Sequence, residues 1–167
     1  MRPLQAQRII YNFSIMFLCL DIKNMEHVAI MKKSWGFIEK ILGGQKTIES
    51  RWYSLKSKPW DNIKGGEIIY FKNSGESINM KAEVSKVIQF TDLTPNKVKK
   101  ILNKYGKAMG IESGKISEFF ESFKDKKYCI LIFIKNPREI KPFNINKKGF
   151  GMMSAWICVD NVDELKK

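Results

Sequence analysis

Histidine is nearly absent: His27 is the single one in 167 residues. That excludes an HExxH zinc site, a His-rich metal centre, and any Ser/His/Asp triad that does not use His27 itself. Cysteine is scarce too, since Cys19, Cys129 and Cys158 are odd in number, far apart and free of a CxxC pair. Neither a disulfide framework nor a zinc knuckle fits them, and a reducing cytoplasm suits them best. The chain also lacks internal repeats, low-complexity tracts and the GxxxxGK[ST] spacing of a P-loop. The apolar run Ile9 to Leu20, behind Arg2 and Arg8, is broken by Asn12 and Ser14 and falls well short of the ~20 residues that span a bilayer. With no small-x-small cleavage site before Asp21, it reads neither as a secretory signal nor as a membrane anchor. Acidic residues are few: 17 Asp and Glu face 30 Lys and Arg, a net charge of +13. Such a balance favours a polyanionic partner over an acidic protein or a neutral metabolite.

What is present is enough apolar sequence, 44% of the chain, for one compact domain with a core. Residues 1–24 read as an N-terminal extension, either disordered or an artefact of an upstream start site, and residues 25–167 as the domain. His27 to Met31 is a β-prone run. Ser34 then reads as the N-cap of a helix carrying Trp35, Ile38, Ile41 and Leu42 on one face, with Gly43-Gly44 as its stop. From Lys46 to Tyr53 the period is two: Ile48, Ser50 and Trp52 share one side, Thr47, Glu49, Arg51 and Tyr53 the other. Ile68 to Phe71 predicts a buried strand ending at Asn73-Ser74-Gly75. Ile78 to Phe90 alternates, with a parity slip at Ser85-Lys86 that predicts a β-bulge. Thr94-Pro95 opens a helix with Val98, Ile101, Leu102 and Tyr105 inside, ended by Gly106 or Gly110. A second short helix holds Ile116, Phe119, Phe120 and Phe123. Tyr128 to Ile134 predicts a strand buried on both faces, and Ala155 to Val159 a last strand. Five or six strands and two or three short helices without βαβ alternation give an α+β class, a small mixed β-barrel rather than a doubly wound sheet.

The chemistry-bearing segment is Gly44-Gln45-Lys46-Thr47-Ile48-Glu49-Ser50-Arg51, which fits GxKxxExR. This motif at a helix-to-strand junction, followed by a loop, by Lys64-Gly65-Gly66-Glu67-Ile68-Ile69-Tyr70-Phe71-Lys72, and by a later alternating strand, resembles the ASCH domain, a relative of the PUA domain. The resemblance covers about Met25 to the last strand. It implies a PUA-like β-barrel whose motif lines a cleft, and a partner that is RNA or a nucleotide-like small molecule. It also implies an alternative, since some small ASCH proteins resemble amidohydrolases of acetylated cytidine. In those, the motif lysine, a threonine three residues later and a distant glutamate act together. Here Lys46 matches, but Glu49 stands where the threonine would be, and only Thr47 is nearby to replace it.

Two readings of the motif follow from its chemistry. As a binding site, Lys46, Thr47, Glu49 and Arg51 clamp a phosphate or carbonyl oxygen while the carboxylate accepts from a base amine or sugar hydroxyl. As a metal-independent hydrolase, an amidohydrolase or ribonuclease, the catalytic set is Lys46, Thr47 and Glu49. The bland reading is a surface pair of Glu49 and Arg51, worth under about 1 kcal/mol. Tyr53 and Trp60 are the stacking candidates for a base, against simple packing under the long loop, and Trp52 reads as core by its parity with Ile48. Lys147 and Lys148 are phosphate contacts in a glycine-rich loop, Phe150 a lid, and Lys32 and Lys33 border the cleft. Lys97, Lys100, Lys104 and Lys107 either track a phosphate backbone or form a solvated helix face. His27 and Cys129 read as structural. No cofactor, metal or membrane is expected, and the location expected is the cytoplasm.

Overall fold

A computed structural model describes residues 24–167, so the expectations for the extension, Arg2, Arg8 and Cys19 included, lie outside the described residues. Six strands form one sheet: β1 (Glu26–Met31), β2 (Ile48–Tyr53), β3 (Ile68–Asn73), β4 (Ile78–Phe90), β5 (Tyr128–Phe143) and β6 (Trp156–Val159). Their spatial order is β2-β5-β4-β3-β1-β6. β1 and β3 run parallel and the other neighbours antiparallel, which makes the sheet mixed. Three helices decorate it: α1 (Phe37–Leu42), α2 (Pro95–Tyr105) and α3 (Ile116–Phe123). Among the described residues no helix is long and apolar enough to cross a membrane.

The sheet curls because its long strands carry extra residues. β4 is paired with β5 as Val84↔Ile134 and then Lys86↔Phe133, so Ser85 is the surplus residue of a bulge, where the parity slip placed it. β5 runs on past Ile134, the end expected from its apolar run, to Phe143. Lys135-Asn136-Pro137-Arg138 has the composition of a turn. The strand absorbs it as a second bulge: Glu83↔Lys135 and Lys81↔Arg138 leave Asn136 and Pro137 together opposite Ala82. Asn136 takes a left-handed φ of 50°, and the missing Pro137 N–H falls where the ladder is already interrupted.

β5 lies at the centre of the packing. Ile130 and Ile132 enter a cluster inside the curl with Ala29, Phe71, Met80 and Trp156, whereas Cys129 and Leu131 enter a second with Val98 and Leu102 of α2. All four are fully buried, and each Ile or Leu contributes roughly 1.5–3 kcal/mol relative to an exposed position. α2 starts as its sequence predicts, with Thr94 Oγ1 accepting from Lys97 N at 3.3 Å and Pro95 at the first turn. The beginning of α1 differs from expectation. Ser34 caps nothing. Lys33–Trp35 form a 3-10 turn, and Gly36, with φ of 59°, turns the chain into the helix. The buried aromatic is consequently Phe37, and Trp35 is left partly exposed.

His27 is a core residue. Its Nδ1 accepts from Trp156 Nε1 at 3.2 Å and its Nε2 lies 3.0 Å from Glu67 Oε2. Glu67, itself buried, also accepts from the backbone N–H of Met25 and Lys64 at 3.1 and 2.9 Å. Burial holds the imidazole below its ordinary value, against the pull of Glu67.

Candidate functional site

The junction of α1 and β2 is pinned by backbone bonds. Gln45 and Lys46 N–H groups both donate to Lys40 O at 2.8 and 2.9 Å, and those of Thr47 and Ile48 donate to Ala108 O at 2.8 and 2.9 Å. The turn sends Lys46 inward, where its Nζ donates to Ile48 O at 2.7 Å and Met109 O at 3.0 Å. Gly110 makes room for it. At φ +78° a Cβ there would stand 3.1 Å from Lys46 Cβ.

Around this lysine the motif forms a buried chain of charges. Lys46 Nζ lies 3.1 Å from Glu49 Oε2, and Arg51 Nε donates to Glu49 Oε1 at 2.9 Å. The side chains of Lys46, Glu49 and Arg51 are 1%, 4% and 14% exposed, so the reading as an ordinary surface pair is corrected. The two oxygens of Glu49 are not equivalent. Oε1 accepts from the Arg51 guanidinium, whereas Oε2 faces the Lys46 ammonium. Burial pulls the Lys46 ammonium below its usual range, and the Glu49 carboxylate opposes that shift. Two cations and one anion leave the chain with one surplus positive charge in a poorly solvated place.

Arg51 also links the two ends of the sheet. Its guanidinium donates to Ala155 O at 3.3 Å and Ile30 O at 3.4 Å, and its carbon stands 5.0 Å from the centre of the Trp156 ring. β2 is a terminal strand with β5 as its neighbour. Ile134 N donates to Thr47 O while Ile48 N and O are bonded away from β5, to Ala108 O and Lys46 Nζ. By the alternation of an antiparallel ladder, the backbone groups of Ser50 and Trp52 also face the open edge.

Against that edge lies a cavity of about 170 Å³, lined by Glu49, Ser50, Arg51 and Trp52 from β2, by Ile30 to Lys32, and by Trp35, Phe37, Met109, Ile111, Phe119 and Phe123. Its walls are aromatic: Trp52 stacks on Phe123 at 4.6 Å and 7°, and Trp35 packs on Phe37 and Phe119 at 5.2 and 5.8 Å. Lys32 Nζ lies 5.4 Å from the Trp35 ring centre. Sites for drug-sized ligands occupy about 300–1,000 Å³, so this one matches a single ring-sized group.

The structure brings together Glu49, Arg51 and Lys32 as expected, with Lys46 behind them rather than in the wall. It does not bring Thr47, which is exposed and absent from the lining. The aromatics are exchanged. Trp60 is buried edge-on against Tyr128 at 5.3 Å, and Tyr53 donates its hydroxyl to Lys58 O at 2.8 Å with its phenol pushed up by burial. Neither lines the cavity. Trp52 does, because at a terminal strand a side chain can pack on α3 and still border an opening. Trp35, Phe119 and Phe123 had no motif to flag them; the one available signal was the i, i+4 spacing of the two phenylalanines in α3. Lys33 is exposed and pairs with Glu76. Lys97, Lys100 and Lys104 are exposed on α2, and Lys107 is exposed in the turn that follows it. Lys148 is exposed, Phe150 packs on a third cluster with Val28 and Tyr70, and Lys147 Nζ donates to Met152 O and Ser154 O at 3.3 and 3.1 Å. Cys129 is fully buried, and burial pushes its thiol up, so it is inert. Among the described residues no three His, Cys, Asp or Glu side chains cluster to hold a metal ion.

Neither a protein-family model nor a curated protein sequence matches the chain. Among solved structures it is similar to the ASCH protein from Zymomonas mobilis, at 18% identity and a TM-score of 0.50, with 71% of this chain and 73% of that chain covered. A serine-to-alanine variant of the same protein gives 17% identity, a TM-score of 0.51 and coverage of 71% and 73%. At these identities the likeness is one of fold. The curled mixed sheet, its short helices and this likeness show that the chain has the α+β fold of that ASCH protein.

Proposed function

We propose that the cavity binds one base of an RNA or of a nucleotide-like ligand. The observation that carries this reading is the buried chain Lys46–Glu49–Arg51 under an aromatic-walled opening the size of one ring. Trp35 and Trp52 offer faces for stacking, which every base can use. Glu49 offers a carboxylate in the cavity wall, suited to accept from an exocyclic amine or ring N–H. The free backbone edge of Ser50 and Trp52 adds donors and acceptors in fixed places. Lys46 acts as a positioning residue: its ammonium faces two carbonyls and orients Glu49. Lys147, Lys148 and Phe150 belong to the same proposal as contacts beyond the base. A cytoplasmic setting fits the buried, unpaired thiols of Cys129 and Cys158.

Tryptophan fluorescence titrations with a panel of short RNAs, nucleosides and acetylated nucleosides test the reading, with mass spectrometry of the same samples. Glu49→Gln is expected to weaken binding by about 10–100-fold, the worth of one charge-assisted bond. Ligand left intact in all samples supports a recognition module. Product that disappears in Lys46→Ala makes the chain a hydrolase instead, and binding indifferent to Glu49→Gln and Arg51→Ala rules out the cavity.

A further inference from the structure

The cavity does not end at its aromatic walls. A neck of about 40 Å³ shares Trp35, Phe37, Ile111 and Phe119 with it, and shares Lys40, Gly110, Ile111 and Glu112 with a groove of about 930 Å³. Ile111 borders all three spaces, so the turn from Gly110 to Glu112 is a continuous floor beneath them. The groove runs between the α1–β2 junction at Gly44 and Gln45, the end of α2, and the start of α3. Its bed is apolar, from Leu102, Ile111 and Ile116, and its rim is polar. The side chains of Gln45, Asn103, Lys107 and Ser113 line it, and among the described residues they have no intramolecular hydrogen-bond or ion-pair partner. At the neck, Lys40 Nζ donates to Gly110 O at 3.0 Å and to Glu112 Oε1 at 3.1 Å, with the Glu112 side chain 64% exposed. Lys115 and Glu118 border the neck as well.

We propose that this groove is a binding site for single-stranded RNA and holds the nucleotides next to the base in the cavity. A base enters a pocket of one-ring size only when it is splayed out of its stack, so the strand beside it is unpaired and brings its backbone to the mouth. From the mouth the neck leads into the groove. The groove stands near the top of the about 300–1,000 Å³ that drug-sized ligands occupy, which is room for at least one whole nucleotide. Its chemistry suits that occupant: aliphatic side chains lie under base faces, the amides of Gln45 and Asn103 both donate and accept at base edges, and Lys107 meets phosphate. The phosphate between cavity and groove takes Lys40 in exchange for Glu112, a largely exposed pair of small worth, so Glu112 competes with the RNA for that ammonium. The net charge of +13 favours such a polyanion. The link to an inserted base rests on the base reading of the cavity; the lining of the groove does not.

The test uses wild type, Lys107→Ala, Asn103→Phe and Glu112→Gln, all at exposed positions where substitution leaves the fold intact. Fluorescence anisotropy follows an end-labelled single-stranded RNA decanucleotide and its displacement by the same sequence as a duplex, and tryptophan fluorescence follows a nucleoside 5′-monophosphate at the same salt. The decanucleotide is expected to bind about tenfold or more tighter than the monophosphate, because the groove adds a second, tethered contact. Lys107→Ala and the obstructing Asn103→Phe should remove most of that advantage and leave the monophosphate unaffected. Glu112→Gln should tighten the decanucleotide by about two- to fivefold, and the duplex should bind no better than the monophosphate. Decanucleotide binding that needs Lys107 and Asn103 but ignores Glu49→Gln upholds the groove and discards the base reading. Glu49-dependent monophosphate binding with no gain from length, or a gain that survives both groove variants, overturns the groove and leaves the base reading standing. Equal displacement of the RNA by a decaglutamate peptide also overturns it, since the groove is then a general polyanion surface.

Discussion

Replacing Glu49 by Gln probes the central charge chain directly. The substitution keeps shape and removes the one negative charge between Lys46 and Arg51. Breaking a buried pair costs about 3–5 kcal/mol, because a charge is left uncompensated. The lower end applies here. Lys46 keeps Ile48 O and Met109 O as acceptors, and Arg51 keeps two carbonyls and the Trp156 ring. A loss of about 3 kcal/mol displaces the urea midpoint on the order of 1–2 M for a small domain. The pH dependence follows from Lys46, whose folded value lies below the unfolded 10.5. Between the two values the unfolded chain binds more protons, so stability rises with pH across that window. Glu49 opposes the depression, so removing it widens the window, and the gap between variant and wild type should shrink as pH rises from 7 toward 9.5. Urea unfolding followed by tryptophan fluorescence at several pH values measures this. A cost under 1 kcal/mol at pH 7, or a gap that does not change with pH, would refute the reasoning.

Two further outcomes are expected. His27 is held below 6.5 by burial, so its contribution is complete above pH 6.5 and declines as pH falls toward the folded value. Urea midpoints at pH 7.5 and 5.5 should show that loss in wild type and much less of it in His27→Gln; equal slopes would count against the buried neutral imidazole. Gly110→Ala places a Cβ at φ +78° beside Lys46, a strain of about 1–3 kcal/mol, with a correspondingly lower melting temperature in calorimetry. An unchanged melting temperature would mean that the Lys46 packing is looser than its contacts imply.

Much of the fold was legible because it rests on local rules. Thr94-Pro95, the parity slip at Ser85 and the double-sided apolar run from Tyr128 each correspond to an observed cap, bulge and core strand. The misreadings also have local causes. Asn136-Pro137 reads as a turn to any rule that sees only neighbours, but pairing along β4 carries the strand through it. Ser34 has the chemistry of a cap, yet Gly36 decides where α1 starts, because the chain must turn left-handed between Trp35 and Phe37.

The candidate site divides in the same way. The sequence alone settled which groups carry charge: Lys46, Glu49 and Arg51 stand in GxKxxExR, and their spacing sets two of them on one strand face. Spacing cannot say how much water reaches a residue, so burial of the chain, and with it the difference between a weak surface pair and a costly buried triad, was decided by α1, by β1 and by the Met109–Gly110 turn. The aromatic walls came from three separate segments: the stretch from Trp35 to Phe37, β2 and α3. Contacts of that range depend on strand order and curl, which are properties of the whole sheet rather than of any stretch of chain within it.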